Sequence, residues 1–158
     1  MNLRPAKLDD SGAITELINK AFLVERFFVE HDRISEEEVR SLLSRGGFTL
    51  AESDLELVGC VYFELRGERA YFGLLSIDPA RQRTGLGKRL IAAVEEQARA
   101  AGCRFMDLQT VNLRTELPPF YRRLGYRETG TAPFPAEVKT KLPCHFILMS
   151  KPLSEPVS

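Results

Sequence analysis

The sequence carries no net charge, no tryptophan and no long apolar run. Lysine plus arginine number 22, and aspartate plus glutamate 22. A dedicated nucleic-acid binder would show a basic surplus, so no nucleic-acid partner is expected. No stretch approaches the roughly 18 apolar residues that cross a bilayer, so no membrane partner is expected. Met1-Asn2-Leu3-Arg4-Pro5 holds no apolar signal core, which argues against export. Cys60, Cys103 and Cys144 are an odd, widely spaced set without a CxxC pair or a Cys/His cluster. They offer neither a disulfide framework nor a metal site, so free thiols in a reducing cytoplasm are expected. The missing tryptophan excludes no function.

What is present is an ordinary globular composition, 44% apolar and 28% charged over 158 residues. That suffices for one domain with its own core. Asn2–Lys7 reads as a short strand. A helix follows, with Asp9 as its cap, Leu8 stapled on Ala13, and Ile14, Leu17, Ile18, Ala21 and Phe22 at helical spacing. Ser35 and Glu38 form a capping box for a second helix that Gly46-Gly47 ends. Strands are expected near 48–52, 57–65 and 70–77, joined tightly enough for an antiparallel meander. Residues 86–101 read as a long helix with Leu86, Leu90, Val94, Ala98 and Ala101 buried. Glu95 and Arg99 form a pair on its other side. Phe105–Val111 is then a strand parallel to 70–77, crossing over right-handed. A short helix near 119–124, a strand at 126–129, an irregular stretch at 130–142 and a last strand at 145–150 complete the order. The domain is placed at residues 1–150, with 151–158 as a tail.

The chemistry concentrates in Ile77-Asp78-Pro79-Ala80-Arg81-Gln82-Arg83-Thr84-Gly85-Leu86-Gly87-Lys88-Arg89. Here a strand ends and a glycine-containing loop turns straight into a helix. The first-turn N–H groups of that helix lack internal partners, and its dipole adds partial positive charge. Gly85 and Gly87 let a ligand approach the backbone. Arg81, Arg83, Lys88 and Arg89 surround them in an otherwise neutral chain. The combination suits a phosphate or pyrophosphate. It is not a Walker A loop, because Gln82 and Arg89 stand where glycine and Ser/Thr are needed. It is not a dinucleotide fingerprint, because Leu90 replaces the third glycine.

Gln82-x-x-Gly85-x-Gly87 after Ile77-Asp78-Pro79 resembles the acetyl-coenzyme A motif of the Gcn5-related N-acetyltransferases (GNAT). Phe120-Tyr121-Arg122-Arg123-Leu124-Gly125-Tyr126 resembles that family's later Leu-Tyr-x-x-x-Gly-Phe element. Asn112 lies after the intervening strand, as a coenzyme-contacting asparagine does in the family. The element order matches over residues 1–150. The resemblance implies an α/β domain with a mixed sheet splayed between two parallel strands and helices on both faces. It also implies acetyl-coenzyme A as co-substrate, no metal, and a small-molecule or peptide amine as acceptor. The resemblance also allows a homodimer.

By the same resemblance, Arg83, Thr84, Gly85, Leu86, Gly87 and Lys88 hold the pyrophosphate through their backbone, with Gln82 opening the motif. Pantetheine lies along Ser76-Ile77, and a backbone N–H near Ile77 stabilises the oxyanion as the amine attacks the thioester directly. Tyr121 is the choice for general acid: tyrosine titrates near ~10 and a thiol near ~8.5, so it keeps a proton to give the thiolate. Packing or orienting the thioester is its alternative role. Two departures stand out. Nine positions separate Asn112 from Tyr121, more than the family commonly has, and Pro118-Pro119 lie between them. This leaves Asn112 open as a turn residue. Tyr71–Ile77 also lacks the carboxylate that often serves as base. Glu30 and His31 are the preferred base candidates, ahead of Glu25, Asp107, Glu116 and His145. Phe27-Phe28 and Pro133-Phe134-Pro135 are pocket candidates, with core packing or a dimer contact as alternatives. Cys144-His145 point to opposite faces of a strand, which disfavours a covalent cysteine mechanism. A non-catalytic coenzyme A-binding module and a nucleotide-binding protein are the competing classes; Tyr121 favours the enzyme.

Overall fold

Two hydrophobic periodicities, helical and alternating, sort this chain into a sheet covered on both faces. The computed structural model describes residues 1–153. A strand β1 (Asn2–Pro5) leads to α1 (Ser11–Ala21) and α2 (Glu36–Arg45). The meander β2 (Gly47–Ser53), β3 (Glu56–Arg66) and β4 (Arg69–Ile77) follows. Then come α3 (Leu86–Ala100), β5 (Phe105–Val111), α4 (Leu117–Arg123), β6 (Arg127–Pro133) and β7 (His145–Pro152). The seven strands form one sheet in the order β1-β2-β3-β4-β5-β7-β6. Among the described residues only β4 and β5 pair in parallel; the other neighbours are antiparallel.

Alternation along β3 divides the core. Val61 faces a cluster with Phe72, Leu86, Leu90, Val94, Met106 and Tyr121, beneath α3 and α4. Cys60 and Tyr62 face the other cluster with Ile14, Ile18, Val39 and Phe48, beneath α1 and α2. The expected mixed sheet with helices on both faces is the structure found. The Ser35–Glu38 capping box is present: Glu38 N–H donates to Ser35 Oγ at 3.1 Å.

Several local expectations are corrected. Asp10, not Asp9, organises the start of α1. Its carboxylate accepts from the Lys7 N–H at 2.7 Å and from both Arg4 Nη atoms at 2.8 and 2.9 Å. These bonds, Arg4's above all, hold it below the ordinary aspartate range. Leu8 is 61% exposed and staples nothing. Ala101 lies just past α3 and is exposed, and Ile91 of α3 is in the core instead. Glu95 is buried beside Ile91, not displayed on the outer face. Strand β6 continues to Pro133, so the irregular connection shrinks to residues 134–144. The last strand passes residue 150: Lys151 and Pro152 belong to β7, and Leu153 is buried. Proline is tolerated there because it sits at the strand's end, opposite Phe105. The rest of the expected tail, residues 154–158, lies outside the described residues.

Candidate active site

Strands β4 and β5 are joined only at one end. Arg69, Ala70 and Tyr71 pair with Phe105, Met106 and Asp107, and pairing then stops. A guanidinium–carboxylate fork locks the closed end. Arg69 Nε and Nη2 each donate to Asp107 at 2.7 Å. Burial alone would raise the Asp107 carboxyl; Arg69 and the Ser150 hydroxyl outweigh it and hold it low. Asp107 is therefore a structural clasp. Beyond it, β4 diverges while β5 stays fully paired to β7, from Phe105↔Pro152 to Val111↔Phe146.

A bulge in β4 accompanies the divergence. Tyr62 pairs with Gly73 and Cys60 with Ser76, so Leu74 and Leu75 together oppose Val61. Bulges bend and twist a strand. Leu74 sits at φ 54°, a left-handed conformation costly for a branched side chain and often found at functional sites. The Ser76 hydroxyl is buried and donates back to the Leu74 carbonyl at 2.9 Å, bracing the bulge. Asp78 N–H donates to Val58 O at 2.8 Å. By antiparallel alternation, Ile77, one residue earlier, directs its N–H and C=O away from β3, toward the open edge.

The loop after β4 is held by its own polar groups. Asp78 accepts from the Ala80 N–H at 3.0 Å, and the Thr84 hydroxyl donates to Arg81 O at 2.7 Å. Thr84 thus uses its side chain for the turn and leaves only backbone for a ligand. Arg83 (φ 67°) and Gly85 (φ 81°) carry the reversal. Arg89 N–H makes the first helical bond, to Gly85 O at 3.2 Å. The N–H groups of Leu86, Gly87 and Lys88 precede it and have no helical acceptor. Gln82, Arg83, Lys88 and Arg89 are exposed around them. A side chain at Gly87 would come within 3.9 Å of Leu75 and 4.0 Å of Phe120, so the start of α3, the bulge and α4 converge.

Tyr121 is 6% exposed and packs among Phe72, Phe120 and Tyr126, with ring centroids 5.2–6.0 Å away. Burial pushes its hydroxyl up to about 12. Asn112 is committed in part: its N–H donates to His145 O at 2.9 Å, and its Oδ1 accepts from His145 N–H at 2.8 Å. Its amide nitrogen alone is left for a ligand. Glu30 and His31 are exposed; Glu30 lies 3.8 Å from Lys141. Neither lines the cavity at the bulge described below. Glu25 is raised by burial and is opposed by Arg114, which donates to it at 3.0 Å. Phe28 is fully buried and Phe27 is 49% exposed, so Phe28 is core. Phe134 of the late loop stacks on Phe146, centroids 5.0 Å apart.

Two features escaped the sequence reading. Thr110 Oγ1, on β5 beyond the last β4 pair, is a buried side-chain oxygen without a hydrogen-bond partner among the described residues. On the α1–α2 face, a cavity of about 380 Å³ opens between Gly73 and Leu74 of the bulge and Gln109 of β5. Tyr62, Glu64, Arg66 and Tyr71 line it. The alternation Tyr62, Glu64, Arg66 was a signal, because Glu64 pairs with Tyr71 across the hairpin.

This arrangement fits a long thioester carrying a pyrophosphate: free N–H groups at one end, an unpaired strand edge along the middle, a buried hydroxyl and a cavity at the far end. Comparison with known proteins agrees. Residues 13–126 match the model of the acetyltransferase (GNAT) family. The chain belongs to that family and is an acetyltransferase using acetyl-coenzyme A. It is 28% identical over 120 residues to the uncharacterized protein YdhI of Bacillus subtilis, covering 73% of this chain and 74% of YdhI. It is 26% identical over 138 residues to an amino-acid acetyltransferase of Azotobacter vinelandii, covering 85% of this chain but 29% of that protein. Its fold superposes on an aminoglycoside 6'-N-acetyltransferase crystallised with coenzyme A at a TM-score of 0.76, with 18% identity and both chains fully covered. Among the described residues no helix is long and apolar enough to cross a membrane.

Proposed function

We propose that this chain transfers acetyl directly from acetyl-coenzyme A to a primary amine, with Tyr121 as general acid. The supporting observation is the convergence of the bulged open edge of β4, the free start of α3 and the buried Tyr121. The co-substrate supplies an activated acyl group. The N–H groups of Leu86, Gly87 and Lys88, aided by the helix dipole, bind the pyrophosphate. Gln82, Arg83 and Thr84 shape the loop, and Gly85 lets it turn. The outward N–H and C=O of Ile77 hydrogen-bond the pantetheine arm, and a bulge amide faces the carbonyl as negative charge develops. The N–C bond forms, the C–S bond breaks, and the proton leaving nitrogen is balanced by the one Tyr121 gives to sulfur. The apolar surroundings that raise Tyr121 also raise the proton affinity of the departing thiolate. Glu30 and His31 stay as proposed bases, acting through solvent; unchanged pH–rate profiles in Glu30→Gln and His31→Ala would remove them. Cys60, pushed up to about 12 by burial, is an inert thiol suited to a reducing cytoplasm.

Calorimetric titration tests the donor site. Acetyl-coenzyme A is expected to bind one-to-one to the wild-type protein and not to Gly85→Glu. Nothing lies within 4 Å of a side chain placed at Gly85, so that variant stays folded despite its strained φ. Equal binding by both proteins would refute the assignment of the loop.

A further inference from the structure

The cavity beside the bulge has a charge pattern that selects its occupant. Its rim carries Arg33, ahead of α2, and Arg45, at the end of α2; Arg66, from the end of β3, completes a cationic trio. The two carboxylates on the same wall are already occupied. Glu64 accepts from the Tyr62 hydroxyl and from Arg66 Nε, each at 2.6 Å. Glu38 serves the Ser35 cap, 3.1 Å from the Ser35 hydroxyl. Arg66 is further fixed over the Tyr71 ring at 4.4 Å. Among the described residues neither Arg33 nor Arg45 has a carboxylate within ion-pair distance; Arg33 acts at longer range on Glu25 and Arg45 on Glu64, and the lining as a whole holds three guanidiniums against two carboxylates. The guanidinium of Arg33 lies 5.5 Å above the Phe22 ring, which orients it without neutralising it.

Unpaired guanidinium forks at one end of a cavity, and the strand edge where the thioester arrives at the other, define a two-ended ligand. Resting on the acetyl-transfer reading above, we propose that the acceptor is a small amine that also carries an anionic oxygen group, a carboxylate or a phosphomonoester. Arg33 and Arg45 grip that group, and the amine points to Leu74. Planar guanidinium forks match both oxyanions. A polycationic amine is rejected by the same charges, since like charges in a confined site repel. The cavity volume suits an acceptor of amino-acid or dipeptide size better than a folded protein surface.

Thiol release with matched acceptors tests this. The panel pairs α-amino acids with the amines left when the carboxylate is removed, and adds phosphoethanolamine and spermidine. The anion-bearing member of the best pair, or phosphoethanolamine, is expected to show kcat/KM at least about tenfold higher than the uncharged analogue. Which of the two leads identifies the oxyanion. In the Arg33→Gln/Arg45→Gln double variant, its KM should rise about tenfold while kcat stays within about threefold. Acetyl-coenzyme A affinity, measured by calorimetry, should be unchanged in that variant. Spermidine or the uncharged amines turning over as well as the anionic ones would overturn the inference, as would an unchanged KM in the double variant. Both of those outcomes leave the donor site intact. Failure of the wild-type protein to bind acetyl-coenzyme A would instead remove the transfer reading, and this inference with it.

Discussion

Tyr121→Phe is expected to lower turnover by about 10²-fold while leaving acetyl-coenzyme A affinity unchanged. The substitution removes one oxygen and keeps the ring that packs on Phe72, Phe120 and Tyr126. Stability should therefore hold, and the loss should fall on kcat. The departing thiolate would leave without a proton, into surroundings that oppose bare charge. Burial pushes the Tyr121 hydroxyl up to about 12, so it stays protonated at any pH used for assay. The wild-type pH–rate profile should accordingly rise as the acceptor amine deprotonates and show no descending limb from Tyr121 below pH 10. A loss smaller than threefold, with affinity intact, would leave Tyr121 a packing residue.

Glu95→Ala is expected to destabilise the fold by about 1–3 kcal/mol, the cost of leaving the buried Tyr126 hydroxyl and the partly buried Lys151 ammonium without their acceptor. The Glu95 side chain is 8% exposed. It accepts from the Tyr126 hydroxyl at 2.7 Å and from Lys151 Nζ at 3.1 Å through both oxygens, with Arg99 4.0 Å away. Lys151 also lies 5.6 Å from the centre of the Tyr126 ring. Alanine would strand an ammonium and a hydroxyl beneath α3. Denaturant melts should show a lower midpoint with an unchanged slope. Glu95→Leu with Lys151→Met should recover much of the loss, because paired removal leaves no orphaned charge. A deficit below about 1 kcal/mol in the single variant would mean that water reaches the cluster.

The elements that align with their own period were legible in the sequence. The meander, α3 and the turn that leads into it were all found, because alternation, the apolar stripe and Gly85 are local signals. The family resemblance supplied the splay. What escaped was set by tertiary contact. The sequence places Glu95 on the surface because a charged side chain next to a stripe normally lies there. Its partners come from β7 and from the turn before β6, more than 30 positions away. Gly73 stands beside the bulge at Leu74-Leu75, but a lone glycine does not say which residue bulges, and the left-handed leucine is a conformation that local propensity disfavours. The arginine-lined cavity joins residues from α2, β3, β4 and β5, and only the register of β3 against β4 brings them together. Lys151–Leu153 looked like tail because Pro152 reads as a breaker, whereas the end of a strand tolerates it.

The one-sided seam between β4 and β5 has a thermodynamic consequence. Within the sheet, among the described residues, only three residue pairs join β4 of the β1–β4 half to β5 of the β5–β7–β6 half. A molecule lying in the gap acts as mortar between the halves and supplies backbone partners the chain itself lacks. Because the unfolded chain offers no such gap, mass action ties the fold's persistence to the concentration of its co-substrate. At a hundredfold excess over Kd the gain is about 2.7 kcal/mol, and the melting temperature should climb by roughly 5–10 °C. The protein would then be sturdiest when acetyl-coenzyme A is abundant, and most exposed to unfolding and proteolysis when it is scarce.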